Sequence, residues 1–282
     1  MKTHNISGSG GARLHVVEAG NPDGQPILFI HGISQSWLAW RCQLRSELRD
    51  DFRLVAMDLR GHGMSDKPND DSYRDSRAWA DDLHAVIREL ELNMPILSGW
   101  SYGPLIMLDY VRHYGEDEIG GMNFIGGVTK LGSEDAMLAL TPEFLGLVPG
   151  FFSNDVQESV RAMNSLIRLC FTKEPPERDL YMMLGYNLAT PPYIRQEMFS
   201  RSFDNDDLLP KLRKPLLITQ GTGDKIVRVR AAEEIRTAAP HATLVLMEGA
   251  GHAVFREEPE KFNARLRDFA LGAGLAKGAS RS

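Results

Sequence analysis

The sequence predicts an α/β protein: a mostly parallel central sheet with helices on both faces and a helical cap inserted late in the chain. Three observations predict it. Short apolar runs alternate with longer stretches of helical periodicity from residue 13 to residue 128. Some runs, such as Pro26-Ile-Leu-Phe-Ile-His31, are continuously apolar, as strands covered on both faces are. The alternation lapses between Thr129 and Leu208 and then resumes.

Taken in order, Arg13-Leu-His-Val-Val-Glu18 alternates like a half-buried strand. Asn21-Pro-Asp-Gly24 is a turn, so this strand is expected to lie antiparallel to its successor, Pro26–His31. Trp37 to Leu48 has apolar residues at helical spacing, and Phe52–Met57 reads as a strand. A helix is expected from Ser76 to about Leu92, with Ser76 as N-cap and Trp79, Leu83, Val86, Ile87 and Leu90 on one face. Pro95–Trp100 is a strand, Leu105–Tyr114 a helix and Gly121–Val128 a strand. After the gap come the strand Pro215–Gln220, the helix Val229–Ala238, the strand Thr243–Met247 and the helix Pro259–Leu271. The chain from Gly272 on is small and polar, a segment expected to fray. The expected division is a core at 1–128 and 209–275, a helical cap at 129–208 and a flexible tail at 276–282. The cap is rich in Met and aromatics and lacks a convincing strand. Its apolar faces can pack on each other, line a substrate cavity, or meet a second copy in a homodimer.

The 282 residues carry 32 Lys and Arg against 38 Asp and Glu, a net charge of −6. This balance offers no basic stripe for nucleic acid. No apolar run reaches the roughly 18 residues of a membrane span, and Met1 to Gly11 contains no apolar signal-peptide stretch. The two cysteines, Cys42 and Cys170, form no framework and are expected as free thiols of a cytoplasmic protein. Neither a phosphate-cradling Gly-rich motif nor His-Glu-x-x-His occurs, so no nucleotide cofactor and no metal is expected.

The chemistry concentrates at strand ends. Gly99-Trp-Ser-Tyr-Gly103 is Gly-x-Ser-x-Gly between a strand and a helix, a turn that thrusts the Ser101 hydroxyl above the sheet. A serine needs a base, and His252 sits in Glu248-Gly-Ala-Gly-His252 just beyond the strand Thr243–Met247. The imidazole needs a carboxylate, and Asp224 ends Gln220-Gly-Thr-Gly-Asp224 beyond the strand Pro215–Gln220. In a parallel sheet all three reach one edge. The end of the intervening strand, Gly126-Gly-Val128, offers no competing carboxylate. An oxyanion needs backbone donors, expected at Tyr102 and at Ile33 in His31-Gly-Ile-Ser34. Trp37, Trp100 and His31 flank these loops as expected pocket residues, with His31 read first as a brace of its own loop.

These motifs, with Asp58-Leu-Arg-Gly-His-Gly-Met-Ser-Asp-Lys-Pro68 and Glu258-Pro259, resemble the α/β-hydrolase fold superfamily in its capped, cofactor-free esterase and haloperoxidase-like branch. The resemblance implies a serine hydrolase (carboxylesterase-like) acting on a small or medium apolar ester or lactone. Asp58, Arg60 and His62 would then brace a loop. The same triad also serves carbon–carbon bond hydrolysis and perhydrolysis, and a non-catalytic ligand receptor shares the fold. Relatives that open epoxides or cleave carbon–halogen bonds carry Asp where this chain has Ser101. Pro104 and Tyr102 depart from the usual small residue and Met or Leu. The Tyr102 side chain can narrow the acyl pocket or offer its hydroxyl to substrate.

Overall fold

A computed structural model describes the backbone of residues 1–279 and the side chains of residues 1–273. Eight strands form one sheet: β1 (Lys2–Ser7), β2 (Arg13–Gly20), β3 (Gln25–Ile30), β4 (Phe52–Met57), β5 (Ile96–Trp100), β6 (Gly121–Ile125), β9 (Leu216–Gly221) and β10 (Thr243–Met247). Their order is β1-β2-β4-β3-β5-β6-β9-β10. The pairs β1–β2 and β2–β4 are antiparallel, and every pair from β4 to β10 is parallel. The strands β3 to β6 are buried along their length, which is why they read as continuous apolar runs.

Several expectations need correction. The Asn21 turn forms, with the Gly24 amide donating to the Asn21 carbonyl at 3.1 Å. The strands it joins run in opposite directions but are not neighbours, because β4 lies between them. Strand β1 was not expected, since only Ile6 of its six residues is buried and nothing in it alternates cleanly. Residues 37–51 form two short 3-10 turns and a four-residue helical turn, not one helix. The strand expected to reach Val128 stops at Ile125.

The helix α1 (Ser76–Glu89) is capped by Asp75, whose carboxylate accepts the Arg77 amide at 2.8 Å, so the cap lies one residue before the expected Ser76. All five residues assigned to its apolar face are buried. Helix α2 (Gly103–Tyr114) follows β5 directly. Between β6 and β9 lie short helical turns and three longer helices, α3 (Val156–Leu169), α4 (Glu177–Leu188) and α5 (Pro192–Phe199). This segment adds nothing to the main sheet. Its two ends are joined by a small pair not expected from sequence, β7 (Lys130–Leu131) antiparallel to β8 (Phe203–Asp204). Helix α6 (Val229–Ala238) and helix α7 (Pro259–Ala279) complete the fold. Helix α7 runs through most of the segment expected as a frayed tail, and residues 280–282 lie outside the described residues.

An aromatic column packs beneath the ends of the central strands. Trp40 stacks on Phe255 with ring centroids 4.3 Å apart and meets Phe29 of β3 at 4.9 Å. Phe255 continues to Trp100 at 5.0 Å and to Phe262 of α7 at 5.9 Å. Elsewhere a buried ion pair ties three segments. Arg60, beyond β4, donates Nε and Nη2 to the Asp82 carboxylate of α1 at 2.6 and 2.7 Å. The same carboxylate accepts the Ser9 amide at 2.8 Å. Both cysteines are free, as expected.

Removing one partner of this pair strands a buried cation. Asp82→Ala is expected to cost about 3–5 kcal/mol, read as a lower urea midpoint in equilibrium unfolding.

Candidate active site

The site starts from a backbone constraint. Strand β5 ends at Trp100 and α2 begins at Gly103, so the chain reverses in two residues. Ser101 takes up the turn with φ of 59°, in the left-handed region. Its amide donates to the Ile125 carbonyl of β6 at 2.8 Å. The flanking glycines are obligatory for space. A Cβ on Gly99 would run into Met107 Sδ, and one on Gly103 would come 2.7 Å from the Ile30 carbonyl oxygen.

Asp224 and His252 follow the neighbouring parallel strands β9 and β10. The carboxylate can only accept, so His252 Nδ1 carries the proton and donates to Asp224 Oδ2 at 2.8 Å. Gln220 Nε2 donates to the same oxygen at 2.9 Å. The Ile226 and Val227 amides donate to Oδ1 at 2.8 and 2.9 Å. Four donors therefore hold a carboxylate that is fully buried, beside a buried imidazole.

Gly126 explains why β6 ends in glycines, a role the sequence reading passed over. It has φ of 49°, and a Cβ there would lie 3.0 Å from His252 Nδ1 and 3.3 Å from Asp224 Oδ2. The chain of β6 thus passes against the His–Asp pair, between it and β5.

The loop after β3 packs against the serine. A Cβ on Gly32 would be 2.9 Å from Ser101 Cβ and 3.4 Å from its Oγ. Among the described residues, neither the Ile33 nor the Tyr102 amide donates to any acceptor of the protein. Both residues are buried. Unpaired amides, one directly after Ser101 and one directly after Gly32, are the kind of donor an oxyanion site requires.

The three expected pocket residues have the following contacts. His31 is fully buried; its Nδ1 donates to the Gly32 carbonyl at 2.7 Å and its Nε2 accepts the Leu59 amide at 3.1 Å. Both nitrogens are used by backbone, and burial lowers its pKa, so the ring is a neutral brace. Trp37 packs near His15 of β2, centroids 6.4 Å apart. Trp100 lies behind the site. Its indole Nε1 donates to the His252 carbonyl at 3.0 Å and its ring is 5.3 Å from the imidazole. It ties the histidine loop to the residue before the serine.

The Tyr102 hydroxyl is occupied by protein. It donates to the Met198 carbonyl at 3.2 Å and accepts from Arg201 Nη1 at 3.2 Å. Asp58 also braces, accepting the Trp37 and Met64 amides at 2.7 and 2.9 Å. Among the described residues no three His, Cys, Asp or Glu side chains gather as a metal set.

The comparisons with known proteins give the family. The sequence profile of the alpha/beta hydrolase fold matches residues 25–259. The chain belongs to the alpha/beta hydrolase fold family. It is a hydrolase, similar to esterases of that fold. A putative aryl esterase from Burkholderia cenocepacia superposes with a TM-score of 0.90 at 33% identity, covering 96% of this chain and 99% of that one. The esterase RhEst1 from Rhodococcus sp. ECU1013 does so with the same TM-score at 32% identity, covering 96% and 99%. Epoxide hydrolase 1 of Caenorhabditis elegans is 28% identical over 91% of this chain and 67% of its own length. Among the described residues no helix of this hydrolase is long and apolar enough to cross a membrane.

The Gly126→Ala variant should keep its fold and lose about 10- to 100-fold in hydrolytic turnover, because small displacements of reacting groups carry penalties of that size. Far-ultraviolet circular dichroism and initial rates on the same preparation check it.

Proposed function

We propose that this hydrolase cleaves carboxylic esters or lactones of small to medium apolar substrates through an acyl-enzyme on Ser101. The observation that carries the reading is the Nδ1-bonded His252–Asp224 pair on the sheet edge where Ser101 is held at φ of 59°. With Nδ1 engaged by Asp224, Nε2 is the nitrogen left to accept the serine proton.

In this reading Ser101 Oγ attacks the carbonyl carbon as its proton passes to His252. The carbonyl oxygen becomes an oxyanion held by the Ile33 and Tyr102 amides, each such donor being worth about 10²–10³ in turnover. Asp224 holds the imidazole in its tautomer and faces the charge it gains. The imidazolium then gives its proton to the leaving alkoxide and the carbon–oxygen bond breaks. Water, deprotonated by His252, attacks the acyl carbon, and the carboxylic acid leaves with Ser101 restored. Residues 129–208 serve as the cap over this edge, their apolar side chains suiting an apolar substrate.

The names of the similar structures support the substrate class. Two are esterases at 33% and 32% identity. A third, an N-acyl homoserine lactonase complexed with N-butanoyl homoserine, is 25% identical with a TM-score of 0.82, which supports the inclusion of lactones. The similarity to an epoxide hydrolase does not extend to epoxide opening in this reading, because the nucleophile position holds Ser101 and not a carboxylate.

Ser101→Ala should remove hydrolysis of p-nitrophenyl esters and labelling by a fluorophosphonate; retained turnover would overturn the assignment. Asp224→Asn should keep the fold and lower turnover by up to about 10⁴ through the wrong imidazole tautomer. Near-normal rates in that variant would place the acid elsewhere.

A further inference from the structure

Tyr102 carries two connections at once. Its amide, directly after Ser101 in the chain, is one of the two unpaired donors, and its hydroxyl is held by the segment that closes the cap. Arg201 lies in that closing segment, between α5 and β8. Its Nη2 donates to both oxygens of Asp109 on α2, at 2.9 and 2.7 Å, while Nη1 donates to the Tyr102 hydroxyl at 3.2 Å. The guanidinium also faces the Phe203 ring, 4.3 Å from its centroid. Arg201, Asp109 and Tyr102 are all buried, at 3%, 2% and 5% exposure.

One cation therefore grips α2 at two points seven residues apart: Asp109 along the helix and Tyr102 at its first turn. The carboxylate alone is enough to compensate the buried charge. The second arm reaches Tyr102, whose own backbone amide directly follows Ser101 in the chain. The tilt of that amide depends on where the Tyr102 Cα sits, and its φ of −72° is shared between the strained serine and the start of the helix. Anchoring the far end of the ring limits how that peptide can rock. Hydrogen bonds to a developing oxyanion fall off steeply with angle, so a small rotation weakens catalysis without changing what the pocket admits.

We propose that Arg201 is a positioning residue for the oxyanion site, acting through the Tyr102 hydroxyl to hold the Tyr102 amide in its donating orientation. The proposal rests on the reading of Ser101 as nucleophile and of that amide as an oxyanion donor. It differs from plain cap-to-core cementing, which the exposed Arg74–Glu197 pair already supplies at a site that does not touch Tyr102.

The test is steady-state kinetics on p-nitrophenyl butyrate for Arg201→Met, Arg201→Lys, Tyr102→Phe, the Arg201→Met/Tyr102→Phe double variant and the control Arg74→Met. Active sites are counted by end-point fluorophosphonate labelling. The expectation for Arg201→Met is a kcat per labelled site lower by about 10- to 100-fold, a fraction of a full donor's worth, with KM within about threefold. Tyr102→Phe, which removes the hydroxyl through which Arg201 acts, should show a loss of the same kind and at least the same size, the double variant should be no worse than Tyr102→Phe, and Arg201→Lys should regain part of the rate. Arg74→Met should match the wild type. A lower melting temperature or higher KM with unchanged kcat per labelled site would make Arg201 a structural tie and overturn the proposal. So would losses that multiply in the double variant. If Arg201→Met does not fold, unchanged kcat in Tyr102→Phe overturns it equally. A wild-type enzyme that fails to label at Ser101 defeats the nucleophile reading itself, and the positioning role falls with it.

Discussion

The proposed site depends on one backbone constraint: β5 must become α2 within two residues, and Ser101 absorbs the reversal at φ of 59°. Such a conformation costs on the order of 1–3 kcal/mol and persists only where the surroundings over-determine it. Here the Ile125 carbonyl holds the Ser101 amide, and α2 packs its first turn against the end of β3. The glycines at 32, 99 and 103 occur where the elbow brings chains too close for a Cβ. The reversal lifts the hydroxyl clear of the sheet and leaves the Tyr102 amide without a carbonyl partner. The proposed nucleophile and donor thus come from a single local distortion.

The other groups are brought to the elbow by anchors that leave the reacting atoms alone. Trp100 holds the backbone of His252, and the Ile226 and Val227 amides hold the Asp224 oxygen that His252 does not bond. His31 clamps its own loop, in which the Ile33 amide has no acceptor among the described residues. The segment between β6 and β9 reaches this edge at two places. The Cys170 carbonyl accepts the Ala253 amide at 2.9 Å, and Glu257 accepts the amide and hydroxyl of Thr172, both at 2.7 Å. At its other end the same segment holds Tyr102.

Three buried arginines show how polar ties give orientation. Arg60 and Arg201 each meet a carboxylate. Burial pushes the Asp109 carboxyl up to about 6 against the opposing pull of Arg201, so the pair is charged at neutral pH. Arg195 has only neutral acceptors, the Phe151, Asn187 and Thr190 carbonyls and the Ser159 hydroxyl. Burial lowers its pKa to about 10, so it stays cationic at neutral pH while stapling four points of the cap segment. Pairs of this kind add little net stability over an apolar replacement, yet removing one member leaves the other stranded.

The sequence by itself determined the strand runs of the core, the order Ser101, Asp224, His252, and the edge on which they meet. Each is a local signal: an apolar run followed within a few residues by a glycine-flanked polar residue, and parallel strands place such residues on one edge. Only the tertiary structure decided the rest. The polar strand β1 exists because β2 offers it a partner, and β4 slips between β2 and β3 although β2 and β3 are adjacent in sequence. Trp37, Trp100 and His31 lie near functional residues along the chain, yet their rings point to His15, to the His252 carbonyl and to backbone groups. The Tyr102 hydroxyl went to a partner 99 residues away. Periodicity records which face of an element is buried; it carries no record of which distant chain does the burying, and side-chain roles are set by that contact.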